Sequence, residues 1–173
     1  MTDPRLTLHG ALVGLRPLRP DDRDRLRDIL AQPEVARWWD TADPESAADE
    51  WLLEDGDSVG FAIELEGTVI GSIQYAEENE PGYRHAGIDL FLDTDHGGRG
   101  LGPDAIRALA RYLIDVRGHH RLTIDPSAAN ERAIHAYRRV GFRPVGVMRQ
   151  YERAPDGTWH DGLLMDLLAG ELT

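Results

Sequence analysis

Gly97-Gly98-Arg99-Gly100-Leu101-Gly102-Pro103 lies between a strand-like run, His85 to Leu92, and a run with apolar residues at helical spacing, Ile106, Leu109, Ala110 and Leu113. The chemistry such a junction can do is anion binding. Glycines turn amides toward a ligand with no Cβ in the way, and Pro103 suits a first helical turn. Exposed amides at a helix start favour a phosphate or pyrophosphate. The same residues are compatible with a glycine-rich turn that holds nothing. Neither common phosphate motif applies. The dinucleotide fingerprint opens the first strand–helix junction of a parallel unit, and the nucleotide P-loop needs a lysine, which this chain lacks entirely. The loop therefore points to a phosphorylated cofactor of another kind.

Charge is segregated along the chain. Trp38 to Tyr83 holds thirteen carboxylates and no Arg, Lys or His, whereas His96 to Arg153 holds eleven Arg against five carboxylates. One part is prepared for a cation and the other for an anion, although any single acid also serves as a solvated surface group. The net charge of −12 argues against nucleic acid as a partner. With no cysteine, disulfides, thiolate metal sites and cysteine nucleophiles are excluded. No metal site suggests itself; His119-His120 lacks a third ligand and reads as a surface pair. No apolar run reaches the length of a membrane span, and MTDPRLTLHG has no signal-peptide core, so a cytoplasmic protein that engages no membrane is expected.

The elements that must position these residues follow from periodicity. A length of 173 residues with 41% hydrophobic content suits one domain with a core, spanning about residues 6–169. Leu6 to Leu18 reads as a strand or hairpin turning at His9-Gly10. Asp21 to Gln32 is a helix broken by Pro33, followed by short helices at Val35–Trp39 and Glu45–Glu54. Strands Ser58–Leu65 and Thr68–Tyr75 join at Glu66-Gly67. A polar loop, Ala76 to Arg84, leads to the His85–Leu92 strand. A helix from Pro103 to Val116, a strand at Arg121–Asp125, a helix at Asn130–Val140 and strands at Phe142–Glu152 and Leu163–Leu168 complete the chain. Antiparallel strands come first, then two strand–helix units and a closing hairpin, which makes a mixed α/β domain.

Two segments in this order resemble the GCN5-related N-acetyltransferase (GNAT) superfamily. The glycine loop is similar to its pyrophosphate motif, although the family has Gln or Arg where this chain has Gly97. Asn130 to Phe142 is similar to its N-x-x-A-I-x-x-Y-x-x-x-G-F helix. Within the superfamily the chain looks like the aminoglycoside 6′-N-acetyltransferases. Asp125-Pro126 through Asn130, Arg132-Ala133-Ile134 matches D-P-x-x-x-N-x-R-A-I, and Gly87-Ile88-Asp89 matches their G-I-D strand, with Leu90 where Gln is frequent. Ile70-Gly71 with Gln74, the pair Trp38-Trp39, and Asp161 ahead of Leu164-Met165 fit as well. The resemblance implies a single-domain GNAT fold: a mostly antiparallel mixed sheet, one splayed parallel strand pair, and helices on both faces. It implies acetyl-CoA as cofactor and direct transfer of acetyl to an amine in a ternary complex, by a monomer or homodimer.

The site residues follow from that implication. An amine must lose a proton to attack, and a carboxylate accepts it. Asp89, on one strand face with Gly87 and Phe91, is the candidate, either as base or as a counter-charge for the ammonium. Tyr137 would protonate the leaving sulfur. Phe91 and Leu92 would meet the pantetheine and thioester. Gly97, Gly98, Arg99, Gly100, Leu101, Gly102 and Pro103 would cradle the diphosphate. Asn130 and Ala133 would touch the pantetheine arm, with Asn130 equally suited to capping its helix. Trp38, Trp39, Asp40, Gln74, Asp125 and Asp161 are assigned to the acceptor, with one Trp expected in the core and the other at the site. The expected acceptor is a primary amine of a polycationic small molecule, an aminoglycoside 6′-amine first. A protein N-terminal or polyamine acetyltransferase on the same fold and a non-catalytic acyl-CoA sensor are the rival readings.

Overall fold

Eight strands form one sheet in the order β1-β2-β3-β4-β5-β6-β8-β7. The computed structural model of the chain describes residues 3, 5–39, 43–53 and 58–173. The strands are β1 (Leu8–His9), β2 (Gly14–Pro17), β3 (Ser58–Leu65), β4 (Thr68–Glu78), β5 (His85–Leu92), β6 (Arg121–Ile124), β7 (Arg143–Arg153) and β8 (Trp159–Leu168). Every neighbouring pair is antiparallel except β5 and β6. The helices are α1 (Arg23–Leu30), α2 (Pro33–Trp39), α3 (Pro44–Leu52), α4 (Leu101–Arg111) and α5 (Glu131–Val140).

Strand alternation sends side chains to two faces, and each face has its own core. Ile88 of β5 joins Phe61, Ile73, Ile106 and Leu109 in the larger cluster, which α4 and α5 cover. Phe91 of the same strand joins Leu26, Ile29, Leu30, Ala48 and Trp51 in the smaller one, beneath α1 and α3. The expected mixed fold with helices on both faces is the one present.

The boundaries differ from expectation where long-range partners decide them. The first strand is interrupted because the buried Asp104 carboxylate accepts from the amides of Ala11, Leu12 and Val13 at 2.9, 2.8 and 3.0 Å. That clamp leaves Gly10 to Val13 as the turn. β4 runs on to Glu78, where a polar loop was expected, because its ladder with β5 extends to Glu78↔His85. α4 opens at Leu101, two residues before Pro103, with Gly100 as its N-cap. Its C-terminal extension, Tyr112–Val116, is a π-helical turn.

That turn corrects the reading of the histidine pair. His120 is exposed, but His119 is 1% exposed and places Nε2 2.7 Å from Glu77 Oε1. Arg117 donates to the other Glu77 oxygen at 2.8 Å. No helix among the described residues is long and apolar enough to cross a membrane.

Candidate active site

The parting of β5 from β6 opens the site. Their parallel ladder holds only at Ala86↔Leu122 and Gly87↔Thr123. Past that point β5 carries Asp89 and β6 leads into Asp125. On the other side of β5, Gln74 of β4 stands directly across from Asp89 and its side chain hydrogen-bonds the carboxylate. Asp125 accepts from the Tyr151 hydroxyl at 2.5 Å.

Tyr151 reaches Asp125 through a β-bulge. The β7–β8 register slips between Met148 and Glu152, and Gln150 adopts φ 48°, rare for a residue with a side chain. The Gln150 amide donates to Asp161 Oδ1 at 2.8 Å, which pins the bulge.

These placements set the electrostatics. Burial first, then the charge of Asp125, push the Asp89 carboxyl up to about 6; Glu152 adds to this and the Gln74 hydrogen bond opposes it. Burial also raises the Tyr137 phenol well above its ordinary range, and the charges of Asp89 and Asp125 push the same way. Tyr137 packs edge-on against Phe142, with ring centroids 6.5 Å apart. Tyr151 is pushed up to about 12, mainly by its bond to Asp125. A carboxyl poised near neutrality suits a base role, and the phenol, protonated throughout the ordinary pH range, is in the form that can donate.

An aromatic wall flanks Asp89. Trp39, Trp51 and Phe91 meet edge to face, with centroids 5.4 Å (Trp39–Trp51), 6.0 Å (Trp39–Phe91) and 4.8 Å (Trp51–Phe91) apart. A cavity of about 170 Å³ lies here, lined by Leu30, Trp39, Ala47, Glu50, Trp51 and Gln74.

Beyond the end of β5, the buried Asp93 ties the start of the glycine loop to α1. It accepts from Gln32 Nε2 at 2.9 Å, from Arg25 Nη2 at 2.5 Å and from the Asp95 amide at 3.0 Å. Burial alone would raise its carboxyl, but these bonds hold it below the usual carboxylate range. Gly98 and Gly100 both have φ 74°, a backbone state open to glycine. Among the described residues, none of the amides of Gly98, Arg99, Gly100, Leu101 and Gly102 donates to a protein acceptor. Five successive free amides at a helix start suit a phosphorylated group. Asn130 Oδ1 accepts from the Ala133 amide at 3.1 Å and so caps α5.

A family model described as "Acetyltransferase (GNAT) domain" matches residues 13–143. The chain belongs to the GNAT acetyltransferase family. It is an acetyl-CoA-dependent N-acetyltransferase. It is 29% identical over 164 residues to the aminoglycoside N(6′)-acetyltransferase type 1 of Klebsiella pneumoniae, covering 84% of this chain and 79% of that one. It is 25% identical to the spermidine N(1)-acetyltransferase of Escherichia coli K12, covering 88% and 84% of the two chains. The structure of Mycobacterium smegmatis RimJ in complex with CoA-disulfide superposes with a TM-score of 0.82 at 24% identity, covering 96% and 88%.

Of the residues expected around this GNAT site, the fold gathers Asp89, Gln74, Asp125, Tyr137, Trp39 and Phe91. Trp39 both packs on the smaller core and lines the cavity, so the division of labour expected between the two tryptophans does not hold. Trp38 lies instead under the Arg37 guanidinium, 4.7 Å from its ring centroid. Asp161 is exposed and holds the bulge. Asp40 lies outside the described residues. Tyr151, Glu152, Trp51 and Glu50 were not anticipated. Only the aromatic and acidic character of their segments hinted at them.

Proposed function

We propose that this enzyme acetylates a primary amine of a polycationic small molecule, with an aminoglycoside 6′-amine as the first choice. The observation that carries the reading is the meeting of Asp89, Asp125 and Glu152 beside an aromatic-walled cavity rimmed by Glu50. Carboxylates and indole faces together select cationic groups. The similarity to the Klebsiella enzyme supports the same choice.

When bound, acetyl-CoA supplies the thioester whose acetyl carbon the amine attacks. The free amides of Gly98 to Gly102 hold the diphosphate at the start of α4, with Pro103 completing the first turn and Arg99 at the rim. Phe91 and Leu92 bring the end of β5 against the thioester arm, and Asn130 and Ala133 border it from α5. Asp89 takes the proton of the incoming ammonium, with Gln74 holding its carboxylate in place. Tyr137 gives its proton to the departing sulfur as the C–S bond breaks and regains one from the acylated nitrogen, which sheds its second proton as the amide forms. Asp125, steadied by Tyr151, holds a second ammonium of the acceptor.

A polyamine is the second reading. A cavity of about 170 Å³ suits a narrow alkylammonium chain better than a pair of glycosidically linked rings, and the similarity to a spermidine acetyltransferase agrees. The deciding experiment is thiol release from acetyl-CoA with aminoglycosides, spermidine, spermine and peptides bearing a free α-amine. A kcat/KM at least a hundredfold higher for aminoglycosides supports the first reading. Preference for peptides overturns both.

A further inference from the structure

Gly97 has φ −68° and ψ 155°, a conformation open to any residue, so its backbone does not call for glycine. What a side chain would meet there does. A Cβ on Gly97 would lie 2.1 Å from Arg132 Nη2 and 3.1 Å from its Cζ. The guanidinium of Arg132, in the first turn of α5, thus lies directly on the backbone that opens the glycine loop. Among the described residues Arg132 forms no ion pair or hydrogen bond with the protein. A planar cation lies at the residue that precedes the five free amides, and among the described residues it has no anion of its own.

We infer that Arg132 is a cofactor-binding residue that reaches across from α5 to neutralise the diphosphate, and that Gly97 is the gap through which it reaches. The inference rests on the proposed seating of the diphosphate on the loop. Amides bind the phosphate oxygens as neutral donors, whereas a guanidinium adds charge and a two-pronged set of N–H groups. Arg132 therefore draws the loop and the cap of α5, two sides of the cofactor cleft, onto one ligand.

The test is calorimetry with CoA, dephospho-CoA, 4′-phosphopantetheine and pantetheine, on wild type, Arg132→Gln, Gly97→Ala and the double variant. Arg132 is exposed and, among the described residues, unpaired, so its replacement leaves the fold intact; Gly97→Ala needs the guanidinium end of that side chain to move and the Thr94 carbonyl, 3.3 Å away, to give by a few tenths of an ångström. Arg132→Gln is expected to weaken CoA and dephospho-CoA by the same factor, about ten- to a hundredfold. Gly97→Ala should weaken both ligands as well, and add little in the double variant, because both changes remove one contact. Unchanged affinity in Arg132→Gln overturns the inference. So does a loss confined to CoA, which would place Arg132 on the 3′-phosphate, and so do additive losses in the double variant. If wild type binds 4′-phosphopantetheine no better than pantetheine, the seating on the loop is what fails.

Discussion

Asp89 and Asp125 hold equivalent stations on the two strands that separate, each two residues beyond the Gly87↔Thr123 pair. Asp89 shares a strand face with Gly87, and the charge of Asp125 reaches it across the opening. Asp125 has Tyr151 to steady its anion. Asp89 has the neutral Gln74 amide as a partner, and burial with the charge of Asp125 raises its proton affinity.

That difference makes Asp89 the group to titrate. Ionised Asp89 accepts a proton and neutral Asp89 does not, so kcat/KM should fall about tenfold per pH unit below about 6. Asp89→Asn should abolish this limb and lower kcat by about 10²- to 10⁴-fold, with affinity for acetyl-CoA unchanged. A near-normal kcat in the variant would remove Asp89 as the base.

The same shift has a stability consequence of opposite sign. A carboxyl raised from 3.8 to about 6 binds its proton more tightly in the folded state, so its favourable contribution is complete below about pH 4 and is lost as pH rises through 6. Above that pH the ionised group costs the fold up to about 3 kcal/mol. Asp89→Asn should therefore melt above wild type at pH 8, with the gap closing toward pH 4.5. A constant gap in thermal scans would contradict the assignment.

Tyr151→Phe removes the hydroxyl that Asp125 accepts from. Losing a hydrogen bond to a charged group is worth about 1.5 kcal/mol or more, so acceptor KM should rise about tenfold. The KM for acetyl-CoA should stay put. Steady-state kinetics with each substrate varied in turn separates the two, and an unaltered acceptor KM would mean that Asp125 does not bind acceptor.

Exposed Glu50 at the cavity rim acts through solvent-screened attraction. Acceptor KM should climb steeply between 50 mM and 500 mM salt, and Glu50→Gln should flatten that slope. A salt profile already flat in the wild type would remove the electrostatic account of acceptor choice.

Asp104, next after Pro103 in the first turn of α4, is tested for its part in folding. Its buried carboxylate satisfies three amides of the β1–β2 turn. Asp104→Ala should cost about 3 kcal/mol or more, since each orphaned amide loses a charge-assisted bond. Urea unfolding would report it; a loss below about 1 kcal/mol would show that the turn finds other partners.

What was legible in the sequence was local. The bounds of β5, the Glu66-Gly67 turn and the capping of α5 by Asn130 all depend on residues within a few positions of one another. Asp89 is legible from period-two alternation together with the Gly87-Ile88-Asp89 likeness, both local. What escaped was set by distant partners. Ninety-three positions separate Ala11 from the Asp104 that holds its turn, and Tyr151 reaches Asp125 only because β7 slips against β8. His119 is buried by a π turn and by Glu77, forty-two positions earlier, neither visible in a pair of adjacent histidines.

Eight residue pairs join β4 to β5, but two join β5 to β6. The sheet is therefore two plates meeting along a short seam, and the gap that admits a thioester is also the line along which the protein is least stitched. A cofactor lying across that line acts as a rivet. Heat should part the empty enzyme there first, with early exchange of the amides that bridge β5 and β6, and bound CoA should quiet that exchange.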